Sequence, residues 1–252
     1  MKTIDLVLFM GQSNMAGRGN AQEAPAVPSG YGYEFRAVSD SSMLYDITEP
    51  FGVNENKING IDEPHMKTGS LVSAFVNAYY EATSIPIVGV SASKGGSSIN
   101  EWQPGGNYLT DAIERLNAAK EFLLQNNYQI RKTFMVWCQG ETDGDNAMPE
   151  AEYKTKLKAM LDTMLQTHVE ICFLIRIGNH RDDSQKYVPI QNAQTDFCNS
   201  YKKAVLVSTK FDTMAALHMM KDPFHYKQDA YNTVGQEAGE NTASYLIKMY
   251  DN

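Results

Sequence analysis

The chain has 252 residues, of which 42% are hydrophobic and 21% are charged, and its net charge is −8. This length and composition are typical of a globular protein that buries a full core. The acidic balance argues against nucleic acid as a partner, because phosphate binding needs a basic surface. It also argues against binding to an anionic membrane surface.

The N-terminal segment "MKTIDLVLFM" predicts a buried strand and not a signal peptide. Asp5 interrupts the apolar run, and no small-residue cleavage site precedes Gly11. We therefore expect a cytoplasmic protein, with secretion possible if a leader has been removed. No run of 18 apolar residues predicts a transmembrane helix. The three cysteines are too widely spaced for a disulfide framework or a zinc knuckle: Cys138, Cys172 and Cys198.

Apolar runs alternate with amphipathic segments along the chain. Five continuous apolar runs predict strands, at residues 3–10, 85–92, 132–138, 170–178 and 203–208. Five segments of helical period predict helices, at residues 70–83, 109–127, 148–168, 188–202 and 230–250. Strands without polar alternation are typical of a parallel sheet that is covered on both faces. The order predicts an α/β three-layer sandwich with a central parallel five-stranded sheet and helices on both faces.

Two segments depart from this regular pattern. Residues 18–69 are rich in Gly, Pro, Ser, Asp and Asn and show no sustained period, which predicts an irregular insertion within a single domain of residues 1–252. Insertions of this length are often functional. Gly235 and Gly239 weaken the prediction of the first half of the last helix, since glycine is a poor helix former.

Glycine-rich polar segments follow the first four predicted strands. They are "GQSN", "SKGGSS", "QGETDG" and "GNHRDD". Ligands of open α/β sheets bind at the carboxyl ends of the strands. Because all four segments fall at that edge, together they predict a functional site there.

The chemistry available at this edge includes that of a serine hydrolase. Ser13 would need a histidine base held by a carboxylate, and His225 lies three residues after Asp222. Taken alone, this D-x-x-H spacing is a weak signal, and a surface ion pair is the more common explanation. An oxyanion hole would need donors, for which the Gly95–Gly96 turn and the Gln139 amide are candidates. A plain turn and an ordinary loop amide remain the alternatives.

Four blocks in fixed order give a resemblance to a known family: "GQSNMAGRG", "GGSSI", "WCQGETD" and "DPFH". They resemble the SGNH-hydrolase superfamily, and more narrowly the sialate O-acetylesterase and acetylxylan esterase group of carbohydrate esterases. The resemblance covers essentially the whole chain and implies a flavodoxin-like SGNH fold. It implies that Ser13 is the nucleophile, His225 the base and Asp222 its orienting partner. The oxyanion hole would consist of the Ser13 amide, the Gly96 amide and the Gln139 side chain, with Gly95 as the alternative to Gly96.

The same blocks contain further candidates near the nucleophile. Gln12, Asn14, Gly95 and Arg18 are expected to contact substrate or to order the loops, and Glu141 is expected to order its loop. A sialic acid would bring a carboxylate that an arginine could bind bidentately, the candidates being Arg18, Arg176 and Arg181. Acetylated xylan would need no such partner.

The resemblance implies an esterase that removes O-acetyl groups from a carbohydrate through an acetyl-enzyme, without a metal or other cofactor. The expected partner is the acetylated carbohydrate, and the oligomeric state stays open. The motifs of zincins, P-loop proteins and dinucleotide-binding proteins are missing from the sequence. One alternative is an inactive carbohydrate-binding module on the same scaffold, with sugar-stacking aromatics at Tyr31, Tyr33, Phe35 and Trp102. The other is a short-chain esterase with a non-sugar substrate.

Overall fold

The computed structural model describes residues 2–250, whose strands form one seven-stranded sheet. Its order is β3-β2-β4-β1-β5-β6-β7, and only β3 runs antiparallel to its neighbour. The strands are β1 (Lys2–Gly11), β2 (Gly32–Arg36), β3 (Asp40–Asp46), β4 (Ile87–Ser93), β5 (Tyr128–Cys138), β6 (Ile171–Ile175) and β7 (Ala204–Ser208). All five predicted strands are present and parallel. The predicted number of five strands is wrong, because the segment after β1 adds two.

The helices cover both faces of this sheet, as predicted. They are α1 (Ser13–Ala16), α2 (Val72–Thr83), α3 (Asn107–Gln125), α4 (Glu141–Asp145), α5 (Glu150–Thr167), α6 (Val188–Ser200) and α7 (Gln228–Tyr250). The two short helices α1 and α4 were not predicted, since each lies inside a polar segment directly after a strand. No helix within residues 2–250 is long and apolar enough to cross a bilayer.

The insertion over residues 18–69 is not irregular throughout. Its strand β2 pairs in parallel with β4, and β3 forms the outer edge of the sheet. The strand signal is weak because β2 has five residues, one of which is the buried Glu34. The Glu34 carboxylate is accommodated by hydrogen bonds from Arg36 and from the Gly52 amide. This pairing is a tertiary feature that periodicity does not register.

Alternate residues of the central strand β1 belong to two separate hydrophobic cores. Leu6 and Leu8 face the core under α3, α5 and α6, whereas Val7 and Phe9 face the core under α2 and α7. Both sets are buried. This alternation within a continuous apolar run is the three-layer arrangement that the sequence predicts.

Two glycines allow α7 to lie directly on α2. A Cβ atom at Gly235 would come 2.3 Å from the carbonyl oxygen of Leu71, and one at Gly239 would come 2.4 Å from that of Phe75. The glycines lower the intrinsic helix propensity of α7. They also permit the close backbone approach that buries the helix, so packing outweighs propensity here.

Candidate active site

The carboxyl ends of the parallel strands bring four polar loops to one edge of the sheet. Ser13 begins α1 directly after β1, Gly96 lies after β4, and His225 lies between β7 and α7. They border a cavity of about 490 Å³, which Arg18 and Glu141 also line. Three of the four segments that were expected to meet at this edge line the cavity, whereas "GNHRDD" (178–183) does not.

Ser13, His225 and Asp222 form one hydrogen-bonded chain. The Nε2 atom of His225 lies 2.9 Å from Ser13 Oγ, and its Nδ1 atom lies 2.8 Å from Asp222 Oδ2. The other oxygen, Asp222 Oδ1, accepts the backbone N–H groups of Phe224 (3.0 Å) and His225 (2.8 Å). The D-x-x-H spacing thus forms a closed turn in which the aspartate fixes both the ring and the backbone of the histidine.

The charges of this chain suit a serine–histidine pair. The pKa of His225 lies below its ordinary value, chiefly because of burial, and the nearby charges of Arg18 and Lys221 also lower it, whereas the Asp222 carboxylate raises it. Burial raises the pKa of Asp222, but its hydrogen bonds from Phe224 and His225 outweigh this and leave it below its ordinary value. At neutral pH the imidazole is therefore uncharged and able to accept a proton, while the aspartate is ionised.

Two backbone amides beside the serine are available for an oxyanion. The N–H groups of Ser13 and Gly96 donate to no acceptor within residues 2–250, whereas the Gly95 N–H donates to Glu63 Oε1 at 3.0 Å. Gly96 has a φ of +70°, a left-handed conformation that favours glycine. Of the two glycines that the sequence offered, Gly96 is the one whose amide is free.

The side chain of Gln139 does not supply a free donor. Its amide nitrogen donates to Ser97 O at 3.0 Å and to Asp143 Oδ2 at 2.5 Å, so both of its hydrogens are engaged. The side chain is fully buried and does not border the cavity. The geometry therefore disagrees with the sequence expectation for this residue. A role in the oxyanion hole would require one of these two bonds to break.

Asp143 is a structural centre of the site that sequence reasoning missed. Its carboxylate accepts from Ser98 Oγ at 2.5 Å and from the Ile99 N–H at 3.0 Å, in addition to Gln139. It thereby ties the loop after β4 to α4. The available signal was its position four residues after Gln139, one helical turn further along the "QGETDG" segment.

Asn14 connects the nucleophile turn to the histidine loop. Its side-chain nitrogen donates to Glu141 Oε1 at 2.5 Å and to Phe224 O at 3.0 Å, and its oxygen accepts from Tyr231 OH at 2.7 Å. Burial raises the pKa of Glu141 to about 7, against the lowering effect of the Asn14 bond. Asn14 and Glu141 therefore order the loops of the site, and Tyr231 connects α7 to the same hydrogen-bond network.

Gln12 and Arg18 are also held by neighbouring segments. Gln12 Oε1 accepts from the N–H groups of Gly140 at 3.0 Å and Thr142 at 3.4 Å. The guanidinium of Arg18 forms a buried ion pair with Glu63 and donates to its neighbour's carbonyl, Gly17 O. Glu63 carries no sequence motif and was not predicted.

The other two arginine candidates lie outside the cavity lining. Arg176 pairs with Asp212, and Arg181 pairs with Asp182. Neither is placed to meet a substrate carboxylate beside Ser13.

The four aromatic residues expected for a sugar-binding module differ in exposure, and Tyr31 and Tyr33 are half-buried. Phe35 and Trp102 are fully buried. Tyr31 stacks on Tyr80 with ring centroids 3.9 Å apart. The expectation of stacking on sugar is therefore wrong for Phe35 and Trp102, because both rings belong to the core under α3, α5 and α6.

The fold and this edge define an SGNH-type ester hydrolase. The family model described as carbohydrate esterase, sialic acid-specific acetylesterase, matches residues 3–244. The chain belongs to this carbohydrate esterase family and is a carboxylic ester hydrolase.

Several solved structures share this fold. A protein from Arabidopsis thaliana aligns with a TM-score of 0.75 at 19% identity, over 96% of this chain and 98% of that chain. NanS aligns with a TM-score of 0.67 at 12% identity, over 99% and 98% of the two chains. A catalytic mutant of Axe2, an acetylxylan esterase from Geobacillus stearothermophilus, aligns with a TM-score of 0.51 at 11% identity, over 94% and 93%. None of the curated proteins matches the sequence significantly.

Proposed function

We propose that this esterase removes O-acetyl groups from a carbohydrate through an acetyl-enzyme on Ser13. The observation that carries the proposal is the chain from Ser13 Oγ through His225 to Asp222 at the wall of a cavity. Beside it, the Ser13 and Gly96 amides have no acceptor within residues 2–250. Nucleophile, base, orienting carboxylate and oxyanion donors are then all accounted for.

In the first half of the reaction, Ser13 Oγ attacks the acetyl carbonyl carbon while His225 Nε2 takes the hydroxyl proton. The carbonyl oxygen becomes an oxyanion that accepts from the Ser13 and Gly96 amides. The imidazolium, stabilised by Asp222, then gives its proton to the sugar oxygen as the ester bond breaks. The deacetylated sugar leaves, and the acetyl group stays on Ser13.

In the second half, water replaces the sugar. His225 takes a proton from the water as its oxygen attacks the acetyl-enzyme, and the same two amides hold the new oxyanion. Collapse of this intermediate breaks the bond to Ser13 Oγ, which recovers its proton from His225. Acetate is released, and the enzyme returns to its starting state.

The cavity lining supports a sugar ester with a short acyl group over a lipid ester. The wall beside Ser13 combines apolar residues with charged side chains, the charged ones being Arg18, Asp62, Glu63, Lys94, Glu141 and Asp145. A long acyl chain would have to desolvate these groups without giving them hydrogen-bond partners. Sugar hydroxyl groups can donate to them and accept from them.

The charge on the wall does not by itself select sialic acid or xylan as the acetylated sugar. The charge of Arg18 is balanced by Glu63, whereas Lys94 forms no ion pair within residues 2–250. Acetate release from acetylated sialic acid and from acetylated xylan, measured side by side, would assign the substrate.

The test of the chemistry is Ser13→Ala together with labelling by a fluorophosphonate. We expect the variant to lose at least about 1,000-fold in kcat on p-nitrophenyl acetate, since the nucleophile is gone. The wild type should form one adduct, at Ser13. Retained turnover in the variant, or an unlabelled wild-type serine, would contradict the proposal and favour an inactive binding module.

A further inference from the structure

We propose that Glu63 is a positioning residue for the oxyanion hole, because it holds the Gly95–Gly96 turn, whose free Gly96 amide lies in the lining of the same cavity as Ser13. This inference rests on the proposed function, in which the Gly96 N–H stabilises the oxyanion. Glu63 lies in the insertion and belongs to none of the four sequence blocks that follow strands. It therefore brings the insertion into the reaction without touching the reacting atoms.

The contacts of Glu63 converge on the glycine turn. Its Oε1 atom accepts the Gly95 N–H at 3.0 Å and also accepts from the Arg18 guanidinium. Glu63 is only 4% exposed and Arg18 only 7% exposed. Hydrogen bonds to a charged acceptor are stronger than those between neutral groups, and a buried site shields them from water. The first amide of the turn is thus fixed by a charged group.

The ion pair also fits the shape of the turn. A Cβ atom at Gly95 would come 2.2 Å from Glu63 Oε1 and 2.3 Å from Arg18 Nη2. A Cβ atom there would require the ends of both side chains of the ion pair to shift. At Gly96 the requirement is different, since space is open there but φ is +70°. Glycine is therefore favoured at the two adjacent positions for different reasons, at Gly95 by the neighbouring ion pair and at Gly96 by the positive φ.

The segment that carries Glu63 is anchored to a core helix. The Ile61 N–H donates to Asp111 Oδ2 at 2.9 Å, and Ile61 O accepts from Arg115 Nη2 at 3.1 Å. Both partners are buried side chains of α3. The Glu63 N–H itself donates to Asn56 Oδ1 at 2.9 Å. Glu63 is consequently presented to the turn from a rigid base, as precise positioning requires.

The residues on either side of Gly95 are held by other hydrogen bonds, so the specific role left to Glu63 is to hold the Gly95 amide. The Lys94 N–H donates to Gly11 O at 2.9 Å, and Ser97 Oγ donates to Lys94 O at 2.7 Å. Between these two points, the Glu63 carboxylate fixes the Gly95 amide. Without it, the peptide units on either side of Gly95 can rotate, and the Gly96 N–H must be reoriented during the reaction. Preorganised donors avoid that cost.

The test compares Glu63→Ala and Glu63→Gln with a matched control, Glu55→Ala. Glu55 is another buried carboxylate of the insertion, and it accepts from the Val38 N–H at 2.8 Å and from Ser39 Oγ at 2.6 Å. It makes no contact with the glycine turn and does not line the cavity. Its loss reports what destabilising the insertion does by itself.

We expect Glu63→Ala to lower kcat on p-nitrophenyl acetate by about 10- to 100-fold, somewhat less than deletion of an oxyanion donor, with KM within about two-fold. Glu63→Gln keeps an oxygen acceptor and should recover part of the loss. Glu55→Ala should lower Tm while keeping kcat within about two-fold of wild type. The affinity for a trifluoromethyl ketone, which forms a tetrahedral adduct with the serine, should fall in parallel with kcat/KM across the Glu63 variants.

Two results would overturn the inference. One is a kcat for Glu63→Ala within two-fold of wild type, and the other is an equal loss of kcat in Glu55→Ala. A failure of the proposed function is distinguishable, because Ser13→Ala would then keep its turnover. If Ser13→Ala is inactive while Glu63→Ala behaves like its control, only the positioning role fails.

Discussion

The loops after β4 and β5 lie side by side at the same edge of the sheet but use their hydrogen-bond donors differently. The loop after β4 leaves the Gly96 amide without an acceptor in residues 2–250. The loop after β5 directs the Gln139 amide into a closed network with Ser97 and Asp143. Both loops contain residue types that can stabilise an oxyanion. Whether a residue can stabilise an oxyanion therefore depends on whether its N–H group is free, and not on its residue type alone.

A second difference between the loops is their charge. The loop after β5 opens α4 with two buried carboxyl groups, Glu141 and Asp143, whereas residues 93–98 carry none. Burial raises the pKa of both groups. The loop after β5 is therefore expected to make stability depend on pH.

The largest effect is expected from Glu141→Gln, which removes the contribution of Glu141 to this pH dependence. The pKa of Glu141 is raised from 4.5 to about 7, so between these values the folded state binds the proton more tightly than the unfolded state. Its contribution to stability is then complete below pH 4.5 and is lost as the pH rises through 7. The loss is about 3 kcal/mol.

Urea denaturation of the wild type and the variant at pH 5 and pH 8 measures this loss. The wild type should lose about 3 kcal/mol more than Glu141→Gln between the two pH values. The variant keeps an oxygen acceptor for Asn14, so it is a matched control. Equal pH dependence in both proteins would show that Glu141 is not the titrating group.

A smaller effect is expected from alanine substitutions in the loop after β4. Gly95→Ala places a Cβ atom against the Arg18–Glu63 pair and should displace the turn, lowering kcat by about ten-fold or more. Gly96→Ala meets no atom within 4 Å and keeps its N–H. It should lower stability by about 1 kcal/mol through its positive φ, with kcat within about three-fold. Steady-state kinetics and urea denaturation distinguish the two variants. A larger loss of kcat in Gly96→Ala than in Gly95→Ala would contradict the roles assigned to the two glycines.

Gln139→Met is expected to affect stability more than turnover. Because the Gln139 amide is already engaged, its removal should lower stability by about 2 kcal/mol but change kcat by less than about ten-fold. Deletion of a true oxyanion donor lowers kcat by about 100- to 1,000-fold. A loss of that size would show that the amide leaves Ser97 or Asp143 during the reaction, and would remove the contrast between the two loops.

The sequence predicted the regular part of the molecule well because hydrophobic periodicity encodes it. The five central strands and the five long helices follow from apolar runs and helical spacing, and the Asp222–His225 turn follows from a local D-x-x-H pattern. These signals are local, so a single sequence contains them. The same holds for the family, whose four blocks can be read directly.

What the sequence could not predict depends on contacts between distant segments. Strand β2 buries Glu34, which is possible only with Arg36 and the Gly52 amide beside it. Glu63 has no motif, and its importance lies in a contact with a turn 32 residues away. Gln139 looked like a free donor because its acceptors are supplied by the tertiary structure. In each case the role of the residue depends on a hydrogen-bond partner that no local sequence pattern predicts.

The close packing of α7 on α2 connects the sheet face to the position of the base. Helix α7 begins three residues after His225, and its Tyr231 holds Asn14 beside the nucleophile. A larger side chain at Gly239 would push α7 outward at a point 14 residues along the chain from the imidazole. Because Gly239 and Tyr231 lie on the same helix, a larger side chain at Gly239 is expected to disturb the contact of Tyr231 with Asn14 beside the nucleophile.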